Sequence, residues 1–144
     1  GFLQAMRVSC YSFIEMARLA EPLMVNGGAL LTMSYYGSDK VVENYNIMGP
    51  VKAALESTTR YMAHELGSKG IRVHTISPGP LKTRAASGIA HFDKLIDDAI
   101  ERAPQNRLVS IEDIGHTAAF LASDAARALT GEVTYVDGGF NIMA

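Results

Sequence analysis

The sequence lacks several features that define whole classes of protein. Of its 144 residues one is a cysteine, Cys10, so no disulfide can form within the chain, and a lone thiol fits a reducing compartment. The 13 Lys and Arg residues are balanced by 15 Asp and Glu residues, which argues against a nucleic-acid surface. No apolar run approaches the roughly 20 residues that a membrane span needs, and the N-terminus does not resemble a signal peptide. These absences predict a soluble, cytoplasmic globular protein that binds neither nucleic acid nor membrane.

Apolar periodicity predicts helices and strands in alternation. The first 24 residues carry an apolar stripe at helical spacing, from Phe2 to Met24. Three further helices are predicted at about 45–68, 92–103 and 110–123, and three apolar strands at 29–34, 71–77 and 132–136. Ser110 and Asp113 form the capping pattern of the last helix. This order of elements is typical of a Rossmann-like α/β fold, a doubly wound parallel sheet with helices on both faces.

Two ligand-binding motifs are missing from that pattern. The four histidines show no metal-ligand spacing with carboxylates or with Cys10, so we predict no metal site. None of the 13 glycines forms the Gly-x-Gly-x-x-Gly turn that follows a strand and holds a pyrophosphate. Gly27 and Gly28 precede a predicted strand instead. We therefore expect residues 1–144 to be the C-terminal part of a single Rossmann-like domain whose N-terminal, cofactor-fingerprint half is absent.

Tyr45 and Lys52 are the candidate catalytic pair. Ligands of open parallel sheets bind beyond the carboxyl ends of the strands, and both residues follow the first predicted strand. Both are predicted near the start of the long helix, where their spacing of about 1.9 turns places the two side chains on nearly one face. A phenol donates a hydrogen bond to a developing oxyanion, and an ammonium holds a polyhydroxyl group and favours phenolate character.

Tyr36 and Lys40 form an alternative pair with a shorter, Tyr-x3-Lys spacing. The residues between them, Gly37, Ser38 and Asp39, are typical of a turn, which favours a position outside the helix. Each candidate also has a structural interpretation, because a buried tyrosine ring and a solvated helix lysine are both common.

The sequence resembles the bacterial enoyl-acyl-carrier-protein reductases of the short-chain dehydrogenase/reductase superfamily. The most specific match is the Tyr-x6-Lys spacing of Tyr45 and Lys52, since ordinary members of the superfamily use Tyr-x3-Lys. The matching stretches are 30–35, 44–53, 60–63, 71–73, 77–83, 85–89 and 131–140, so the resemblance covers essentially the whole chain. It implies the C-terminal half of an enzyme that reduces the 2,3 double bond of enoyl thioesters in fatty acid biosynthesis.

The resemblance also implies roles for individual residues. Tyr45 would donate to the thioester carbonyl, Lys52 would bind the nicotinamide ribose, and Tyr35 would line the site beside the substrate. Further cofactor contacts would come from Met33, Leu81 and Thr83. A flexible flap at 84–103 would cover the acyl chain. The other residues that would contact the substrate are Met48, Ala85, Ala86, Ile89, Phe92 and Leu95.

The same resemblance implies NADH as the cofactor, acyl carrier protein as the partner that brings the enoyl chain, and a homotetramer. NADPH stays open, since residues after the second strand of the complete fold choose between the two donors. Two other functions also stay open. One is a superfamily reductase that acts on a carbonyl or hydroxyl group. The other is a half-domain that is inactive by itself, which we expect of this chain alone because it lacks the pyrophosphate-binding turn.

Overall fold

The centre of the molecule is a parallel β-sheet, seen in a computed structural model that describes residues 1–81 and 92–143. Its strands are β1 (Gly28–Met33), β2 (Ile71–Pro78) and β3 (Val133–Val136), in the order β1-β2-β3. β1 pairs with β2 from Gly28 opposite Ile71 onward, and β3 pairs with the second half of β2. The α/β class and the parallel sheet predicted from the sequence are confirmed.

Helices cover both faces of this sheet. They are α1 (Phe2–Met6), α2 (Ser12–Ala20), α3 (Met48–Gly67), α4 (Phe92–Arg102) and α5 (Ile111–Ala122). On one face α2 and α3 pack over β2 around buried apolar side chains that include Phe13, Leu55 and Val73. On the other face α5 packs through Ile114 and Leu121. Among the helices described, none combines the length and the apolar composition that a membrane crossing requires.

The first helical stretch is less regular than its apolar stripe predicts. A π-helical segment, Arg7–Tyr11, joins α1 to α2 and brings Cys10 into the core. Phe13 and Ala17 of the predicted stripe are buried, whereas Phe2 is half-exposed. Because a π turn adds a residue to the helical repeat, it rotates the stripe along the helix, and α2 rather than α1 supplies the buried contacts.

The long helix begins at Met48, and the predicted start at Tyr45 is wrong. Asn44 and Asn46 on either side of Tyr45 have φ angles of 63° and 50°, in the left-handed region. Asparagine tolerates this region better than most residues, but no right-handed helix can run through it. Tyr45 therefore lies in a turn before α3, and its spacing to Lys52 is not a helical spacing.

Candidate active site

Tyr45 lies in a loop beyond the carboxyl end of β1 and packs against Gly37. A Cβ atom at Gly37 would lie 2.7 Å from Cδ1 of the Tyr45 ring, so only glycine allows this contact. The Tyr45 backbone N–H donates to the carbonyl of Val42 at 3.1 Å, and its carbonyl accepts from Met48 at 3.1 Å. The turn and the glycine together fix where the phenol ring stands.

Two other tyrosines continue the site from Tyr45. The rings of Tyr45 and Tyr35 meet edge to face with centroids 5.1 Å apart, and those of Tyr35 and Tyr36 with centroids 4.9 Å apart. Burial raises the pKa of Tyr45 to about 12, and burial beside the other two tyrosines raises the pKa of Tyr35 as well. Both phenols are therefore protonated at neutral pH and can act as hydrogen-bond donors.

Lys52 reaches the same end of β1 from the second turn of α3. Its Nζ donates to the backbone carbonyl of Met33, the last residue of β1, at 2.8 Å. Burial lowers the pKa of the Lys52 ammonium, and the negative charge of Glu56 opposes that shift. A lysine ammonium has three N–H donors, so two remain for a ligand beyond the strand end. The side chain of Met33 is half-exposed at the same place.

A buried acidic residue next to this lysine was not predicted. Glu56, one helical turn after Lys52, accepts hydrogen bonds from Ser34 Oγ and Ser38 Oγ. The sequence carried one usable signal, since a carboxylate four residues after a lysine on a helix lies on the same face. It held no signal for the two serines, because they come from a different part of the chain.

An aromatic row extends the site toward α4. The ring of Tyr36 meets that of Phe140 edge to face at 5.2 Å, and the Arg102 guanidinium lies 5.3 Å from the Phe140 centroid. Leu95 of α4 borders a small cavity of about 110 Å³ together with Tyr36 and Phe140. Phe140 was not predicted, because its position in space depends on the turn after β3.

Only some of the other predicted site residues lie in the described part of the chain. Met48 is half-buried at the first position of α3, and the side chain of Leu81 packs against the apolar core on the α5 face. Thr83, Ala85, Ala86, Ile89 and the side chain of Phe92 lie outside the described residues, as does most of the predicted flap before α4.

The alternative pair lies in a turn, as its composition indicated. Tyr36 begins a short 3-10 helix, Tyr36–Ser38, and Lys40 is exposed and paired with Asp39 at 3.3 Å. Tyr36 borders one cavity, whereas Lys40 borders another together with Tyr45. Over residues 1–81 and 92–143, no group of three His, Cys, Asp or Glu side chains could hold a metal ion.

Comparisons with known proteins show which family the chain is similar to. The family model described as "Enoyl-(Acyl carrier protein) reductase" matches residues 1–141. The chain is 46% identical over 143 residues to the enoyl-[acyl-carrier-protein] reductase [NADH] FabI of Rickettsia prowazekii. That alignment covers 99% of this chain and 55% of the relative, so the chain spans about half the length of the curated relatives it matches.

Solved structures show the same relationship in three dimensions. The enoyl-acyl carrier protein reductase of Bacillus cereus, solved with NADP+ and indole naphthyridinone, superimposes with a TM-score of 0.98 at 45% identity, over 100% of this chain and 56% of that chain. The enoyl-(acyl-carrier-protein) reductase of Anaplasma phagocytophilum, solved with NAD, gives 0.94 at 47% identity, over 99% and 55%. The resemblance in the sequence, the parallel sheet and the family match lead to one conclusion: the chain belongs to the enoyl-(acyl carrier protein) reductase family.

Proposed function

We propose that this chain is the C-terminal part of an NADH-dependent reductase that reduces the 2,3 double bond of enoyl thioesters on acyl carrier protein, in fatty acid biosynthesis. The observation that carries the proposal is the placement of Tyr45. Its protonated phenol is fixed by Gly37 and Tyr35 beyond the carboxyl end of β1, where the ammonium of Lys52 is also presented. The names of the relatives supply the reaction and the cofactor.

In this proposal Tyr45 stabilises the charge that develops during reduction. When bound, the reduced nicotinamide supplies the hydride that adds to the β-carbon of the thioester. The electron pair of the double bond then moves toward the carbonyl oxygen, and the Tyr45 hydroxyl donates a hydrogen bond to that oxygen. Tyr35 lines the substrate side of Tyr45 and limits where its ring can turn.

Lys52 is the residue that would hold the cofactor. Its ammonium is anchored by the Met33 carbonyl and keeps donors free for the two ribose hydroxyls, so the residues present fit a nicotinamide ribose. Met33, Leu81 and Thr83 are proposed as further contacts. NADPH is the second donor to test, because the related Bacillus cereus structure contains NADP+.

The acyl chain would lie between the tyrosines and the proposed flap at 84–103. Leu95, which borders a cavity with Tyr36, supports this placement. Met48 is proposed to line the same space. The other proposed substrate contacts on the flap are Ala85, Ala86, Ile89 and Phe92.

We also propose that the complete enzyme is a cytoplasmic homotetramer that receives its substrate from acyl carrier protein. The helices α1 and α2 leave large apolar side chains exposed, among them Leu3 at 82% and Leu19 at 57%. Apolar surface of this extent is typical of a face that is covered in the complete protein.

The proposal is tested with this chain extended to the full length of its relatives, called here the extended protein. Oxidation of NADH and of NADPH is followed by absorbance with a short 2-enoyl thioester and with a 3-ketoacyl thioester. We expect turnover with the enoyl substrate. Turnover with only the ketoacyl substrate would contradict the proposed reaction.

Variants of the extended protein assign the roles. Tyr45→Phe should lower kcat roughly a hundredfold, the typical effect of removing one oxyanion donor. Lys52→Ala should chiefly raise the KM for NADH. Tyr61→Phe, at a tyrosine that is 70% exposed on α3, and Lys40→Ala are matched controls that should leave both constants unchanged. A loss of activity in Lys40→Ala instead would favour the alternative pair.

A further inference from the structure

Glu56 is a buried carboxylate that the proposed reaction does not use. It is 8% exposed, in the third turn of α3. It accepts hydrogen bonds from Ser34 Oγ and from Ser38 Oγ, the latter at 2.6 Å. We call these three residues the serine clamp.

The burial of this carboxylate is unfavourable unless it is well bonded. A carboxylate in the interior loses its hydration, and hydrogen bonds from hydroxyl groups compensate for part of that loss. An apolar residue at this position would pack α3 against its neighbours without the free-energy cost of burying a charge. Unlike an apolar residue, the carboxylate fixes the positions of two hydroxyl groups through directional hydrogen bonds.

Those two hydroxyl groups stand at the two ends of a short segment that carries the site. Between Ser34 and Ser38 lie Tyr35, whose ring contacts Tyr45, and Gly37, against which the Tyr45 ring rests. The clamp therefore holds both surfaces that position the Tyr45 phenol. The backbone of this segment also approaches α3 closely, since a Cβ atom at Gly49 would lie 2.9 Å from the Gly37 carbonyl oxygen.

The same carboxylate also acts on the second candidate residue. Lys52 lies one turn earlier on α3, and the charge of Glu56 favours its ammonium form against the effect of burial. Tyr45 and Lys52 belong to different elements, a loop and a helix. Glu56 is hydrogen-bonded to the segment that positions Tyr45, and it lies on the same helix as Lys52.

We propose that Glu56 is a positioning residue: through Ser34 and Ser38 it fixes the 34–38 segment to α3 and so holds Tyr35 and Gly37 where they orient Tyr45. This inference deepens the proposed function and rests on it. It predicts that loss of the clamp misplaces the phenol without removing any group that touches substrate or cofactor.

Kinetics of the extended protein test the proposal. Glu56→Gln keeps the shape of the side chain but removes its charge and offers a donor group to one serine. We expect kcat for the enoyl thioester to fall roughly tenfold to a hundredfold, as misplaced catalytic groups typically cause. In Ser38→Ala we expect the KM for NADH to change less than about twofold, because that variant keeps both the charge of Glu56 and the bond of Lys52 to Met33. Ser38→Ala should lower kcat in the same direction.

Thr59→Val is the matched control for simple loss of stability. Thr59 lies one turn after Glu56 on the buried face of α3, and its hydroxyl is hydrogen-bonded to that of Thr75 at 2.7 Å, away from the 34–38 segment. The substitution removes this buried hydrogen bond between neutral hydroxyl groups and the bond of Thr59 to the Leu55 carbonyl. It should lower the Tm while kcat stays near the wild-type value. An equal fall of kcat in Thr59→Val and Glu56→Gln would overturn the positioning role.

Hydrogen exchange separates this proposal from the proposed function. The amides of Ser38, Asp39 and Lys40 donate to carbonyls of Tyr35 and Tyr36 and report on the segment directly. They should exchange faster in Glu56→Gln and in Ser38→Ala, but not in Thr59→Val. Unchanged exchange in both clamp variants would overturn the clamp even if the enzyme is active.

If the wild-type extended protein does not reduce enoyl thioesters, the proposed function fails and the exchange data alone decide on the clamp. If Glu56→Gln does not fold, Ser38→Ala decides.

Discussion

Tyr45 owes its position to a neighbour that has no side chain. Its ring lies against Gly37, and any Cβ atom there would overlap with the ring edge at 2.7 Å. The ring of Tyr35 closes the other side, with its Cδ1 3.4 Å from the same hypothetical atom. A single glycine thus makes room for the aromatic contact that orients the phenol.

Gly37→Ala should therefore impair activity more than its size suggests. The added methyl displaces the Tyr45 ring or the segment that carries Tyr35, so kcat for the enoyl thioester should fall by roughly tenfold or more in the extended protein. The assay is the enoyl reductase measurement described above, accompanied by thermal unfolding.

Gly115→Ala is the matched control for that substitution. Gly115 lies inside α5, and a Cβ atom there would meet nothing within 4 Å. Alanine is the better helix former, so the variant should be more stable by about 0.5–1 kcal/mol, with unchanged kcat. Full activity in Gly37→Ala would show that the ring contact does not orient Tyr45.

At the scale of elements, β2 holds the end of α5 through a side chain. Arg72 of β2 donates from its guanidinium to the carbonyls of Leu121 and Ser123, at 2.5 and 3.1 Å, and also approaches those of Ala122 and Ala126. The last carbonyls of a helix have no partner within it and carry partial negative charge. One arginine from the sheet therefore caps α5 and fixes it to β2.

His74 makes this junction sensitive to pH. The ring is fully buried, and its Nε2 lies 3.0 Å from Arg72 Nη1, which donates to it. Burial lowers the pKa of His74, and the positive charge of Arg72 lowers it further. The folded state thus favours the neutral ring, whereas the unfolded chain protonates at about pH 6.5. The stability contributed by this group is complete above that pH and is lost as the pH falls toward the lowered pKa of the folded state.

Urea unfolding of the extended protein at several pH values checks this expectation. The free energy of unfolding should fall as the pH is lowered below about 6.5. His74→Gln removes the titrating group but keeps an acceptor for Arg72, so its stability should depend less on pH over the same range. Parallel curves for wild type and variant would mean that His74 does not contribute.

At the scale of the whole molecule, one edge of the sheet is open in the described parts of the chain. β1 pairs through one edge with β2, and its other edge has no strand partner within the described parts of the chain. An apolar strand with an open edge is a strong template for another strand. The curated relatives are almost twice as long as this chain, which matches 55% of the Rickettsia prowazekii protein.

The chain alone should therefore bind NADH poorly and be inactive. It contributes the Lys52 ammonium but contains no glycine-rich turn to hold a pyrophosphate. A fluorescence titration with NADH should show binding to the extended protein and not to the 144-residue chain. A 144-residue preparation of verified mass that oxidised NADH with an enoyl thioester would contradict the prediction.

The sequence determined by itself whatever depends on neighbours along the chain. The alternation of apolar segments predicted the parallel sheet, and Ser110 with Asp113 predicted the cap of α5, where both hydrogen bonds are present. The turn composition around Gly37 correctly placed Tyr36 and Lys40 outside the helix. Each of these features follows from local periodicity or from a local hydrogen bond, and both can be read from residue types at short spacing.

Only the tertiary structure decided how Tyr45 is positioned and which residues support that position. Two asparagines with left-handed backbone moved Tyr45 out of the helix, which residue types alone do not reveal. The contacts of Glu56 with Ser34 and Ser38, and of Phe140 with Tyr36, join residues 18 or more positions apart. Such contacts depend on the packing of α3 and the turn after β3 against the end of β1, and no local pattern in the chain records that packing.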